Sequence, residues 1–274
     1  MRERYLIVNA DDFGRSREIN RGIVRAHVEG IVTSTSLMVR WPAADEASAL
    51  AAKHPRLSVG LHVDLGEWAR EGGEWRSVYP PAVDAEDGRA VRAEVNAQLN
   101  EFCRLMGRDP THIDSHQHAH RDGYARQAVR TLGRRLGIPV RHFDERVKYC
   151  GAFYGADLDG KPHLDRITTA ALIEALAGLP DGTTELCTHP AEAGEHGQYG
   201  PQRAMELRAL CHGSVHAAVR ASGIRLINFA PPAPHPLASP PTIVARWRAA
   251  WRRLAARGRT GSAVKERSTA CGLS

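Results

Sequence analysis

Short apolar and β-branched runs recur along the chain at 5–10, 31–39, 57–65, 111–116, 139–143, 183–188 and 224–229. Between them, apolar positions at helical spacing cover 16–29, 43–53, 90–107, 121–136, 167–178 and 202–221. Regular alternation of strand and helix predicts an α/β fold with a mainly parallel sheet, closed or open. Right-handed crossovers then gather every loop that follows a strand at one end of the sheet.

Polar residues that carry chemistry sit where those runs stop. The first run ends in Asn9-Ala10-Asp11-Asp12-Phe13-Gly14, the third in Gly60-Leu61-His62, and the sixth in Cys187-Thr188-His189-Pro190. Two adjacent carboxylates at a strand end suit a hard divalent cation, one as oxygen ligand and the other as a nearby base, although Asp-Asp also occurs in ordinary turns. The tract His112-Ile113-Asp114-Ser115-His116-Gln117-His118-Ala119-His120 is denser. Read as an extended segment, it places residues 112, 114, 116, 118 and 120 on one face, so that face carries four imidazoles and one carboxylate. Such a face is not plain core: it is a metal site, with Asp114 available to orient a ligating imidazole, or a solvated edge. His189, at a strand end, is a candidate acid or base. Cys187 reads as a small buried strand residue rather than a nucleophile. Asp11, Asp12, His62, His116 and His189 all fall at C-terminal strand ends, where barrel enzymes assemble their chemistry.

At 274 residues the chain is long enough for one α/β barrel. Its five cysteines are scattered without a CxxC pair, which fits reduced thiols. The formal net charge is +6. Residues 231–274 hold eight basic residues against one acid, Glu266, so they contribute +7 and the remainder sums to −1. The nearly neutral body gives no reason to expect a nucleic-acid partner. No run approaches the roughly 18 apolar residues of a membrane span, and the first strand begins without a signal-peptide core, which predicts a cytoplasmic protein.

Residues 66–88, with Trp68, Trp75, Tyr79 and Pro80-Pro81, and residues 144–166 show no clear period and read as long loops. Their aromatics could stack on a sugar face or merely pin the loops to the body. The Pro-rich stretch 232–241 reads as a stiff linker. Beyond it, Val244, Trp247, Trp251 and Leu254 form an apolar stripe on an arginine-rich helix. That stripe fits peripheral contact with an anionic membrane, or packing on the same chain or on a twin subunit in a homodimer.

The motifs Asn9-Ala10-Asp11-Asp12-Phe13-Gly14, Gly30-Ile31-Val32-Thr33-Ser34-Thr35-Ser36, Gly60-Leu61-His62, His112 to His118 and Glu185 to Pro190, taken in order, resemble the YdjC-like carbohydrate deacetylase family. The resemblance runs to about residue 231. It implies a distorted (β/α) barrel of the polysaccharide-deacetylase type over 1–231; the 232–241 linker and the basic helical and disordered tail over 242–274, read from composition, lie outside it. It also implies a metal-dependent hydrolase that removes the acetyl group from an N-acetylated sugar. By that resemblance Asp12, His62 and His116 hold one divalent metal ion, Asp11 is the base and His189 the general acid. Tyr199, Arg203 and Glu206 match the family's spacing without an assignable role.

The donor set accommodates zinc, magnesium, manganese or cobalt; the resemblance leans to magnesium and the imidazole count to zinc. Two other functions compete. A metal-dependent phosphoesterase on the same barrel would want a phosphate-binding glycine loop and a more basic body. A non-catalytic sugar-binding relative would be expected to lack one of the metal or acid-base residues.

Overall fold

The computed structural model describes residues 3–229 apart from 158 and 196–198. The elements in chain order are β1 (Arg4–Phe13), α1 (Arg17–Val28), β2 (Ser34–Leu37), α2 (Ala44–Lys53), β3 (Ser58–Val63), β4 (Glu67–Glu71), β5 (Glu74–Tyr79), α3 (Gly88–Met106), β6 (Ile113–Ser115), α4 (Gly123–Leu136), β7 (Val147–Cys150), α5 (Thr169–Ala177), β8 (Gly182–Thr188), α6 (Gly200–Leu210), α7 (Gly213–Ala221) and β9 (Ile224–Leu226). The Pro-rich linker and the basic helix with its membrane or dimer contact lie outside the described residues. No described helix is long and apolar enough to cross a membrane.

Local chemistry explains where the helices begin and which face they bury. The Ser16 side chain caps α1 by accepting from Ile19 N–H, and Ile19, Ile23 and Ala26 then recur at spacings of four and three on the buried face. Asp87 caps α3 through two backbone donors, and Val91, Val95, Leu99 and Phe102 line its inner side. Gly107 and Gly137 close α3 and α4 with φ of 66° and 69°, the left-handed conformation that glycine adopts without penalty.

The main sheet runs β6-β3-β2-β1-β8-β7, with β9 beside the start of β1, and all its pairings are parallel. β1 is buried from Leu6 through Phe13, as expected of a strand covered on both faces. The sheet is strongly curled: Arg141, which follows the bridge from Val140 to Ile113 at the β6 edge, reaches carboxylates on β1, β6 and β8. The architecture is therefore an α/β half-barrel of parallel strands, in keeping with the parallel sheet that the alternation predicts and the distorted barrel that the resemblance implies.

Several sequence expectations are corrected. Residues 66–88 contain the antiparallel hairpin β4–β5; β5 is exposed along most of its length, so it carries no alternating signal. The run 139–143 supplies only the Val140 bridge, and the strand that fills that order in the sheet is β7, inside the segment read as a loop. The helix expected over 202–221 breaks at Cys211 and His212 into α6 and α7. The tract 112–120 is not one extended face: β6 stops at Ser115, and the chain turns through left-handed backbone at Gln117 (φ 48°) and His118 (φ 55°).

That turn disperses the histidines. His112 lies under Gly60, where an added Cβ would come within 2.4 Å of its ring, and stacks on Phe229 at a centroid distance of 4.0 Å. Burial holds His112 neutral by lowering its pKa from 6.5 to about 4. An unfolded chain takes up this proton near 6.5 while the folded one resists it, so stability is lost as pH falls from 6.5 toward 4. At 1.36 kcal/mol per unit, His112 alone removes about 2 kcal/mol between pH 6.5 and 5. A His112→Phe variant is expected to lose correspondingly less stability over that range in urea unfolding. Equal losses in the two proteins would show that the site does not resist protonation.

Candidate active site

Four strand ends converge on one buried pocket. Asp12 closes β1 with φ of 71°, a strained backbone for a residue other than glycine. Its Oδ1 lies 3.3 Å from His62 Nε2 on β3 and 3.1 Å from His116 Nδ1 just beyond β6. Its Oδ2 accepts from Arg203 on α6. One donor atom each from Asp12, His62 and His116 fall within 4.8 Å of one another. His62 is oriented from behind, with Nδ1 2.7 Å from Asp114 Oδ1, and the two residues are register partners across β3 and β6. That leaves His62 Nε2 buried, turned toward Asp12 and without a hydrogen-bond partner.

An ionised carboxylate and two imidazole nitrogens, one of them orphaned, are a donor set that fits a divalent cation. The electrostatics agree. Burial works against charging His62, yet the charge and hydrogen bond of Asp114, with the Asp12 carboxylate facing the other ring nitrogen, raise its pKa to about 10. His116 is likewise raised against burial, by Asp12 and Glu67. The surrounding carboxylates thus favour positive charge at both rings, which a bound dication would supply.

Asp11, the neighbour of Asp12, has a different set of partners: the strand is irregular between Ala10 and Phe13, and Asp12 adopts left-handed backbone. Burial opposes its charge, but Arg141 holds it well below the usual carboxylate range through a forked contact, Nη1 to Oδ2 at 2.6 Å and Nη2 to Oδ1 at 2.7 Å. Asn9 Nδ2 also donates to Oδ1 at 2.8 Å. The same guanidinium is 2.8 Å from Asp114 and 2.6 Å from Glu185. Arg141 is thus a fully buried cation shared by three carboxylates, and sequence reasoning did not find it. Arg141→Met is expected to cost about 3–5 kcal/mol of stability, because it leaves those acids buried without a counter-charge. Arg141→Lys should recover only part, since one ammonium cannot reproduce the fork. An unfolding midpoint unchanged in Arg141→Met would refute the shared role.

His189 follows β8 with Nε2 4.0 Å from Asp11 Oδ2. Gly22 lets α1 press against the loop that carries it: a Cβ there would meet Ala191 backbone at 2.4 Å. Burial lowers the His189 pKa to about 4, so the ring is neutral at rest. Glu206, raised by burial to about 8, accepts from His189 N–H and from the Tyr199 hydroxyl, and lies 3.9 Å from His189 Nδ1. The structure thereby gives contacts to Tyr199, Arg203 and Glu206: Arg203 on Asp12, and the other two around His189. Tyr154 stacks on Tyr199 at 4.6 Å and keeps 37 % of its surface exposed. On the opposite wall Glu67 from the hairpin reaches His116 Nε2 at 3.4 Å and pairs with Arg15 at 2.6 Å. Cys187 is buried, as expected of a strand residue, and burial pushes its thiol well above the ordinary range. His118 and His120 lie apart from Asp12: His118 is 3.1 Å from the Tyr149 hydroxyl and His120 2.6 Å from the Ser115 hydroxyl.

The curled parallel sheet has counterparts among solved structures. The Xyl-CE4 domain of a multidomain xylanase from the hindgut metagenome of Trinervitermes trinervoides superposes with a TM-score of 0.50 at 10 % identity, covering 82 % of this chain and 87 % of that one. At that identity the match speaks for the fold alone. Residues 5–221 match the model of the YdjC-like protein family, and the chain belongs to that family. It is 35 % identical over 244 residues to a carbohydrate deacetylase of Geobacillus stearothermophilus, covering 82 % of this chain and 97 % of that protein. It is 32 % identical to a chitooligosaccharide deacetylase of Klebsiella pneumoniae strain 342, covering 83 % and 98 %. A solved structure from Enterococcus faecalis V583, named for cellobiose-phosphate cleavage, matches with a TM-score of 0.66 at 26 % identity, covering 83 % and 98 %.

Proposed function

We propose that this protein is a metal-dependent hydrolase that removes the N-acetyl group from an acetylated amino sugar, of chitooligosaccharide type or lipid-linked. The observation that carries the reading is the division between the adjacent carboxylates. Asp12 faces two imidazoles, whereas Asp11 faces Arg141 and His189. That division supports Asp12 as a metal ligand and Asp11 as the proton acceptor.

Asp12, His62 and His116 would hold the ion, magnesium or zinc, which when bound supplies a Lewis acid and an acidified water. Asp11 is ionised under the pull of Arg141 and takes the proton of the attacking water. His189, neutral at rest, receives a proton during turnover from Asp11, 4.0 Å away, and passes it to the departing sugar nitrogen. Glu206 and the Tyr154–Tyr199 stack hold the imidazole at that position, and the exposed Tyr154 face suits a sugar ring.

The deacetylase names of the relatives support acetate as the product. The relative named for cellobiose-phosphate cleavage keeps a phosphoesterase as the second reading. Acetate and phosphate release should be measured on one sample, against N-acetylglucosamine oligomers, lipid-linked N-acetyl sugars and sugar phosphates, with metal content determined in parallel. Acetate release that requires the metal is the expected result. Phosphate release alone would establish the second reading, and release of neither would identify a sugar-binding relative without catalysis.

A further inference from the structure

Beside the proposed metal ligands lies a second set of donors with different chemistry. Asn9 and Cys187 are register partners on β1 and β8, so Asp11 and His189, two residues further along each strand, come to the same inward face. Asp11 Oδ2 is 3.4 Å from Cys187 Sγ, Cys187 Sγ is 3.9 Å from His189 Nε2, and the third side of the triangle is 4.0 Å. A tetrahedral zinc with about 2.3 Å to sulfur and about 2.0 Å to nitrogen and oxygen sets ligand separations of roughly 3.3–3.6 Å. The observed triangle is that figure slightly opened, which favours a larger ion of the same preference.

We propose that Asp11, Cys187 and His189 form a second, soft-metal site, selective for thiophilic divalent ions such as cadmium or excess zinc, and that filling it shuts the enzyme off. In the free protein the Cys187 thiol donates to Asp11 Oδ2. Binding replaces that proton with the ion: the S–H bond breaks, the proton leaves to solvent, and the sulfur pair forms the bond to the metal. Asp11 Oδ2 also accepts from Arg141 Nη1, and a carboxylate oxygen has a second lone pair for the ion. Arg141 and Arg203 oppose a cation here, while Asp12, Glu185 and Glu206 favour it. Magnesium, which prefers oxygen ligands, has little use for a thiolate, so the two sites differ in the ions they select. The inhibitory consequence rests on the deacetylase reading, because the ion occupies the base and the acid assigned there; the binding itself does not.

The test titrates the full-length, magnesium-loaded protein with cadmium and follows the ultraviolet thiolate-to-cadmium charge-transfer band together with bound cadmium. One equivalent per chain should bring in the band, and Cys187→Ala and Cys187→Ser should both lose it. A variant lacking the other four thiols, Cys103, Cys150, Cys211 and Cys271, should keep it. In turnover, the cadmium concentration for half-inhibition should rise at least tenfold in Cys187→Ala. A band that survives in Cys187→Ala, or that vanishes with the other four cysteines, overturns the site. A band that behaves as expected in a protein that hydrolyses no acetyl sugar would overturn the deacetylase reading and leave the site standing.

Discussion

Asp11→Asn is expected to lower turnover by about 10²–10⁴-fold while leaving bound metal at the wild-type level. The amide has the shape of the carboxylate and cannot accept the water proton. The proposed ligand set does not include Asp11, whose oxygens are engaged by Arg141, Asn9 and Cys187 rather than by the two rings around Asp12. Arg141 still has Asp114 and Glu185 as partners in the variant, so the fold should survive. The companion change Asp12→Asn should act differently, weakening metal retention first and turnover as a consequence. Metal content and single-turnover rates on the same preparations separate the two. If Asp11→Asn works near the wild-type rate, another group is the base, and the division between the carboxylates has been misread.

How much of this was legible in the sequence depends on what each residue does in the fold. β1, β2, β3 and β8 announce themselves because buried parallel strands need continuous apolar or β-branched runs. Their polar ends stand out for the same reason, and Asp11, Asp12, His62, His116 and His189 were legible as a convergent set once right-handed crossovers were assumed. The β4–β5 hairpin was not, because a two-stranded ribbon exposed along most of β5 has no buried face to impose alternation. α6 and α7 merged because α6 buries the polar residues Gln202, Arg203 and Glu206, which blur its amphipathic pattern. The tract 112–120 misled in another way. Counting alternate residues assumes extended backbone, whereas Gln117 and His118 adopt left-handed backbone, which few non-glycine residues do. Arg141 has no motif around it. Its signal lay elsewhere, in Asp11, Asp114 and Glu185: three acids on inward-facing strand positions require a buried cation, and that demand was countable before any residue could be named to meet it.

The second large effect expected is on the metal. His62→Ala and His116→Ala should each strip the protein of its tightly held ion, and the double variant should retain none. Each ring contributes one nitrogen to a three-donor set, and neither has a neighbour placed to substitute: Asp114 sits behind His62, and Glu67, beyond His116, is already paired with Arg15. Turnover should fall by on the order of 10³-fold or more, since the water reverts from a pKa of about 7 toward ~15.7 once the ion is gone. His62 and His116 differ in burial, and that provides an internal check. His62 is enclosed between Asp12 and Asp114, so its removal should also lower the unfolding midpoint. His116, on the turn after β6, should lose the metal with a smaller structural cost. The measurement is magnesium and zinc content after dialysis, with circular dichroism to establish that the fold persists. Magnesium is the more diagnostic ion, because the thiol-containing site beside Asp11 has little affinity for it. A folded double variant that still carries one equivalent of magnesium would remove Asp12, His62 and His116 from the role of metal ligands.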